Sequence, residues 1–157
     1  MSVYLDYNAS APILTEVLDV MIDTYKNVPG NADSRTHLFG TKAQKVVQTS
    51  RNTIADVLGV DQSEVIFTSG STESNNTVIL GIEEHAELTG KKHIITTAIE
   101  HKAILEPLKH LEKKGFRVDY VRPNESGRID ADYLLSLIDD ETSLVSVMYV
   151  NSETGII

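Results

Sequence analysis

The stretch Phe67-Thr68-Ser69-Gly70-Ser71-Thr72-Glu73-Ser74-Asn75-Asn76 concentrates small hydroxylated residues around one glycine. It follows the apolar residues Val65 and Ile66 and precedes a helical pattern. A helix that opens there leaves its first backbone N–H groups without acceptors. The positive end of the helix dipole lies beside them, and the pair suits a phosphate. Gly70 permits a tight turn, and the Ser71 and Thr72 hydroxyls add donors. The same residues also read as a plain strand-to-helix turn in which Ser71 caps the helix. The chain has neither a glycine-rich dinucleotide fingerprint nor a Gly-Lys-Ser/Thr loop, so a nucleotide is not specifically indicated.

Two further segments carry polar groups directly after apolar runs. Thr96-Thr97-Ala98-Ile99-Glu100-His101-Lys102 places an imidazole where a strand gives way to a helix. In an open α/β sheet ligands sit beyond the carboxyl ends of the strands. An imidazole there can stack on a flat cofactor or move protons near neutral pH. It can equally be an ordinary helix-start histidine. Asn151-Ser152-Glu153-Thr154-Gly155 follows the last apolar run and adds polar groups to the same rim, although taken alone it is only a turn. His37, His85, His93 and His110 stand in weaker contexts. None of them forms a His-x-x-x-His or Glu-x-x-His helical ligand pair, so no metal site is expected.

These segments need elements to hold them. Val3 to Tyr7 reads as a short strand, and Thr15 as the N-cap of a helix carrying Val17, Leu18, Met21, Ile22 and Tyr25. Residues 28 to 36 read as a loop rich in turn formers. A helix is expected from Thr41 to Leu58, stopped by Gly59. Strands are expected at Val65 to Thr68, His93 to Thr97, Arg117 to Val121 and Leu144 to Val150. Helices are expected at Thr72 to Leu88, Ala103 to Lys114 and Asp130 to Ile138. Strands separated by helices predict an α/β fold with a mostly parallel sheet flanked by helices. Ending at Ile157, just past an apolar strand, would leave a sheet edge uncovered, which suggests part of a larger fold.

Composition narrows the function classes. Hydrophobic residues make up 41% of the 157 and charged residues 24%, which argues against wholesale disorder. Fourteen Lys and Arg against 23 Asp and Glu give a net charge of −9, which disfavours nucleic acid and anionic membranes as partners. The absence of cysteine rules out disulfides, thiolate metal sites and a cysteine nucleophile within these residues. No apolar run reaches the ~18 residues of a membrane span, and the start is no signal peptide, so a soluble, cytoplasmic protein is expected.

Taken together, the segments resemble the N-terminal part of the pyridoxal-phosphate-dependent cysteine desulfurases, within the class V aminotransferases. The matching residues are Tyr4-Leu-Asp-Tyr-Asn-Ala9, Gly30-Asn-Ala-Asp-Ser-Arg-Thr-His-Leu-Phe-Gly40, Phe67 to Asn76, Glu100-His101 and Asn151 to Gly155. The motifs occur in the family's order over nearly the whole chain. The resemblance implies the fold of a type I aminotransferase-like domain. Residues 1–13 would belong with the small domain of the full-length family, and 14–157 would form an incomplete large domain. Gly70, Ser71 and Thr72 match the phosphate-binding turn. His101 matches the histidine that stacks on the pyridine ring and assists proton transfer. Asn151 and Ser152 match the Asn-Asn of the family's Asn-Asn-Glu-x-Gly, with Ser152 standing where the second asparagine is usual. The implied reaction removes sulfur from L-cysteine, giving alanine and an enzyme persulfide. The sulfur then passes to an acceptor or scaffold protein, as in iron–sulfur cluster assembly, and the enzyme is a homodimer. The lysine that carries the cofactor and the sulfur-accepting cysteine belong to later segments in this family. The 157 residues alone are therefore expected to be catalytically incompetent. A split protein completed by a second chain, and a domain binding another phosphate ligand, are the alternatives.

Overall fold

The computed structural model describes residues 2–157. They form two compact units, one up to Phe67 and the other from Thr68 to Ile157.

The first unit is helical. Helix α1 (Thr15–Asn27) carries the expected apolar stripe, but none of its residues is buried. Thr15 is its first helical residue; Leu14 takes the N-cap position and offers no side-chain acceptor. Helix α2 (Leu38–Leu58) begins three residues before the expected Thr41, because the His37 side chain caps it by accepting the Gly40 N–H at 3.1 Å. The preceding loop lies hard against that first turn. A Cβ at Gly40 would sit 2.0 Å from the Ser34 carbonyl oxygen, and one at Gly30 would sit 2.3 Å from that of Phe39. Gly59 ends α2 at φ 67°, the left-handed stop expected of it. A short 3-10 turn (Gln62–Glu64) follows, with a reciprocal Asp61–Glu64 cap.

The second unit holds a three-stranded parallel sheet flanked by helices. Helix α3 (Ser71–Thr89) leads into β1 (His93–Thr97), and α4 (Lys102–Lys113) into β2 (Arg117–Val121). The short α5 (Ala131–Ser136) precedes β3 (Thr142–Ser146). The strand order is β2-β1-β3, so β1 is central, and all five of its residues are buried. Its side chains alternate between faces, as strand geometry requires. Ile94 packs with Ile79 and Ala86 of α3, with Ile104, Leu108 and Leu111 of α4, and with Phe116. Ile95 packs on the other face with Val121 and Leu134 of α5.

Three expected strands differ. Val3 to Tyr7 and Val65 to Thr68 have no ladder partner among the described residues. Apolar, β-prone residues make a strand only where a neighbour receives their backbone groups. The third strand ends at Ser146 rather than Val150. Just beyond its end the Met148 N–H donates to the Glu100 carboxylate at 2.8 Å, so a side chain takes a backbone donor where a neighbouring strand would. No helix among the described residues is long and apolar enough to cross a membrane.

Candidate functional site

The topology brings the three polar segments to one edge of the sheet. The strands are parallel, so β1 and β3 end at the same carboxyl edge. Helix α4 starts directly after β1 and therefore at that edge. Helix α3 runs into the amino end of β1, so its own N-terminus also lies at the carboxyl edge. The two helices pack side by side on one face through Ile79, Ala86, Ile104 and Leu108. Asn75 on α3, Ile104 on α4 and Ser146-Val147 at the end of β3 line a single cleft of about 280 Å³.

Helix α3 opens without a side-chain cap. Ser74 N–H donates to the Gly70 carbonyl at 3.1 Å, closing the first turn, while the N–H groups of Ser71, Thr72 and Glu73 have no acceptor among the described residues. The Ser71 and Thr72 hydroxyls are exposed and likewise unengaged there. The turn before them is braced from within. Thr68 Oγ1 lies 2.7 Å from Ser74 Oγ, and the Ser69 N–H donates to the Glu73 carboxylate at 2.6 Å. Hydrogen bonding from Ser69, first from its side chain and then from its N–H, lowers the Glu73 carboxyl from its ordinary value, so Glu73 is an anion turned back on its own turn. Gly70 is in extended backbone, and a Cβ there would meet nothing within 4 Å. Three amide protons, two hydroxyls and a helix dipole make a donor set that fits the dianionic phosphate of pyridoxal phosphate.

His101 is the N-cap of α4, and its Nδ1 accepts the Ala103 N–H at 3.1 Å. With Nδ1 used as an acceptor, Nε2 is the ring nitrogen left free, and the imidazole is exposed. The residue before it is buried. Glu100 Oε1 accepts both the Thr97 hydroxyl and the Met148 N–H, each at 2.8 Å. Ala98 N–H donates to the Val121 carbonyl at 2.9 Å. The short segment carrying His101 is thus tied to both neighbouring strands.

Asn151 and Ser152 differ sharply in environment. Ser152 is exposed on a turn, whereas Asn151 is buried. Asn151 Oδ1 accepts the Glu153 and Thr154 N–H groups at 3.0 and 2.9 Å and the Thr154 hydroxyl at 3.1 Å. Its Nδ2 points to the Ile99 carbonyl and to Met148 Sδ, at 3.3 and 3.4 Å. Among the described residues no hydrogen bond joins Ser71 or Thr72 to His101. The structure thus gathers Ser71, Thr72, His101 and Ser152 at one edge with free polar atoms, and turns the Asn151 amide inward. The internal roles of Glu100 and Asn151 were missed by sequence reasoning. The one signal pointing to Glu100 was an acid next to a histidine after a buried strand.

Comparison with known proteins agrees with this architecture. The model of the family described as aminotransferase class-V matches residues 3–157. A cysteine desulfurase IscS of Buchnera aphidicola is 46% identical over 157 residues, covering 99% of this chain and 39% of the relative. A mitosomal cysteine desulfurase of Trachipleistophora hominis is 44% identical, covering 98% of this chain and 35% of its own length. Among solved structures, a NifS-like protein superposes with a TM-score of 0.91 at 42% identity, over 98% of this chain and 42% of that one. SspA in complex with cysteine gives a TM-score of 0.87 at 38% identity, over 96% and 43%. The chain spans well under half the length of the relatives it matches. A family match over nearly every residue, with identity and fold in agreement, places this chain in the class V aminotransferase family.

Proposed function

We propose that these residues form the cofactor-cradling part of a pyridoxal-phosphate-dependent cysteine desulfurase. The observation that carries this reading is the uncapped mouth of α3, with its free amides and hydroxyls, on the same sheet edge as the free Nε2 of His101. The turn Gly70-Ser71-Thr72 holds the phosphate through the N–H groups of Ser71, Thr72 and Glu73 and the Ser71 and Thr72 hydroxyls. His101 holds or moves a proton at Nε2, its other nitrogen being occupied by the helix cap. Ser152 offers a hydroxyl on the rim, where it can donate one hydrogen bond and accept others. Bound pyridoxal phosphate supplies an electron sink for charge developing on the substrate amino acid.

In the complete reaction an enzyme thiolate attacks the sulfur of L-cysteine. The carbon–sulfur bond breaks as a sulfur–sulfur bond forms, and the carbon left behind takes up a proton to become alanine. These 157 residues hold no cysteine to supply that thiolate and no counterpart of the family's later segment that carries the cofactor lysine. They turn over nothing by themselves under this reading. The segment 1–13 goes with a small domain and 14–157 with the large one. The whole enzyme is a cytoplasmic homodimer that hands its sulfur to an acceptor or scaffold protein.

Equilibrium dialysis of pyridoxal phosphate against the complete protein tests the cradle. Thr72→Ala should weaken binding by about 1–3 kcal/mol, or roughly 5- to 150-fold, for a lost charge-assisted contact. Unchanged affinity would remove the helix mouth from the site. Incubation with L-cysteine should release alanine, and its absence would overturn the reaction.

A further inference from the structure

We infer that Asn151 is a positioning residue that acts through the Ile99 carbonyl on the segment carrying His101, and that it does not itself touch the cofactor. The amide has no capacity left for a ligand. Its Oδ1 is surrounded by three donors from Glu153 and Thr154, two of them backbone N–H groups, which fixes that atom as the oxygen. Both Nδ2 protons then have partners in Ile99 O and Met148 Sδ. The residue is 8% exposed, and its own backbone is clasped as well. Its N–H donates to Ile156 O at 2.9 Å, and its carbonyl accepts the Gly155 N–H at 2.8 Å.

What Asn151 joins matters more than its burial. One side of the amide closes the turn that presents Ser152, and the other side grips the backbone two residues before His101. Glu100 completes the clasp by accepting the Met148 N–H from the strand side. The two loops that hold the free groups of the site are therefore one hydrogen-bonded body, joined across 52 residues of sequence. A buried amide partnered at every position is a rigid spacer, because breaking any of its bonds leaves a polar group unsatisfied.

Asn151→Asp separates the two halves of this role. The carboxylate keeps an acceptor for the Glu153 and Thr154 amides but sets an oxygen against the Ile99 carbonyl. The consequence for catalysis rests on the proposed function; the structural coupling does not. In the complete protein, hydrogen exchange should show the Met148 and Ala103 amides exchanging at least tenfold faster in Asn151→Asp, with Glu153 and Thr154 still protected. Unchanged Ala103 exchange would overturn the coupling. Glu100→Gln retains the acceptor and should leave Met148 protected, while Glu100→Ala should expose it. Protection surviving in Glu100→Ala would also count against the clasp. The second readout is a double-mutant cycle on pyridoxal phosphate affinity and turnover. Asn151→Asp should lower kcat in the wild-type background, have little further effect in His101→Ala, and leave cofactor affinity within about twofold in both. A loss of cofactor affinity that persists in His101→Ala would show direct contact and reject the inference. If pyridoxal phosphate binds neither protein, the functional reading fails while the exchange result still decides the coupling.

Discussion

Strand β1 begins at one histidine and is followed by another four residues past its end, and the two are used in opposite ways. His93 is fully buried at the amino edge of the sheet. Its Nε2 lies 3.0 Å from Asp119 Oδ2, and its Nδ1 lies 2.8 Å from Thr142 Oγ1 and 3.3 Å from Asp139 Oδ1. Arg117 bonds Asp139 and stands 3.6 Å from Asp119. His93, Arg117 and Thr142 are the first residues of the three strands, so this cluster fastens the strand starts together. His101 at the carboxyl edge is exposed and spends one nitrogen on a helix cap. Burial with both nitrogens engaged makes a fastener. Exposure with one nitrogen free, beside an uncapped helix, leaves a group able to act on a ligand. The residue type is the same; the partners within reach decide its use.

Exchanging the two roles is the sharpest way to break this contrast. In the complete protein His101→Ala should lower kcat by about 10²- to 10⁴-fold, the usual worth of a positioned acid or base. His93→Ala should leave kcat per folded molecule near wild type. Steady-state turnover normalised to folded protein measures both, and a normal kcat in His101→Ala would end the catalytic assignment.

Stability should show the reverse order. His93→Ala opens a hole in the sheet and leaves two carboxylates facing Arg117 without their imidazole. The expected loss is about 2–4 kcal/mol, below the value for a fully buried pair because the acids are partly solvated. His101→Ala removes only a helix cap, worth about 1 kcal/mol. Urea unfolding compares the two, and equal losses would erase the distinction.

The smallest effect is a dependence on acid pH at the amino edge alone. The hydrogen bond from Arg117 holds the Asp139 carboxyl down at about 2 against its ordinary 3.8. A depressed carboxyl contributes stability that is complete above its unfolded value and lost as pH falls through its folded value. Unfolding midpoints should therefore drop between about pH 4 and 2, and Asp139→Asn should flatten that drop. A slope unchanged in Asp139→Asn would assign the acid sensitivity elsewhere.

Much of the fold was readable before any coordinates. The apolar steps along Val17 to Tyr25 and the glycine stop at Gly59 each follow from local geometry. The bounds of β1 and β2 agree with expectation residue for residue. Val3 to Tyr7 and Val65 to Thr68 have similar β-prone composition yet make no strand, since pairing depends on neighbours that composition does not reveal. The candidate site divides along the same line. The run Gly70-Ser71-Thr72 was visible because a helix mouth is a local structure. The inward-turned amide of Asn151 was not, because its bond to Ile99 joins segments far apart in sequence.

By itself, then, the order of residues determined most of the helices, the bounds of β1 and β2, the net negative charge and the grouping of hydroxyls, imidazole and amide into short motifs. All of these depend on contacts within a few positions along the backbone. Only the tertiary structure decided which polar atoms are consumed and which stay available. A hydrogen bond satisfies one donor at a time, and the Ile99 carbonyl that engages the Asn151 amide arrives from a segment 52 residues away in sequence.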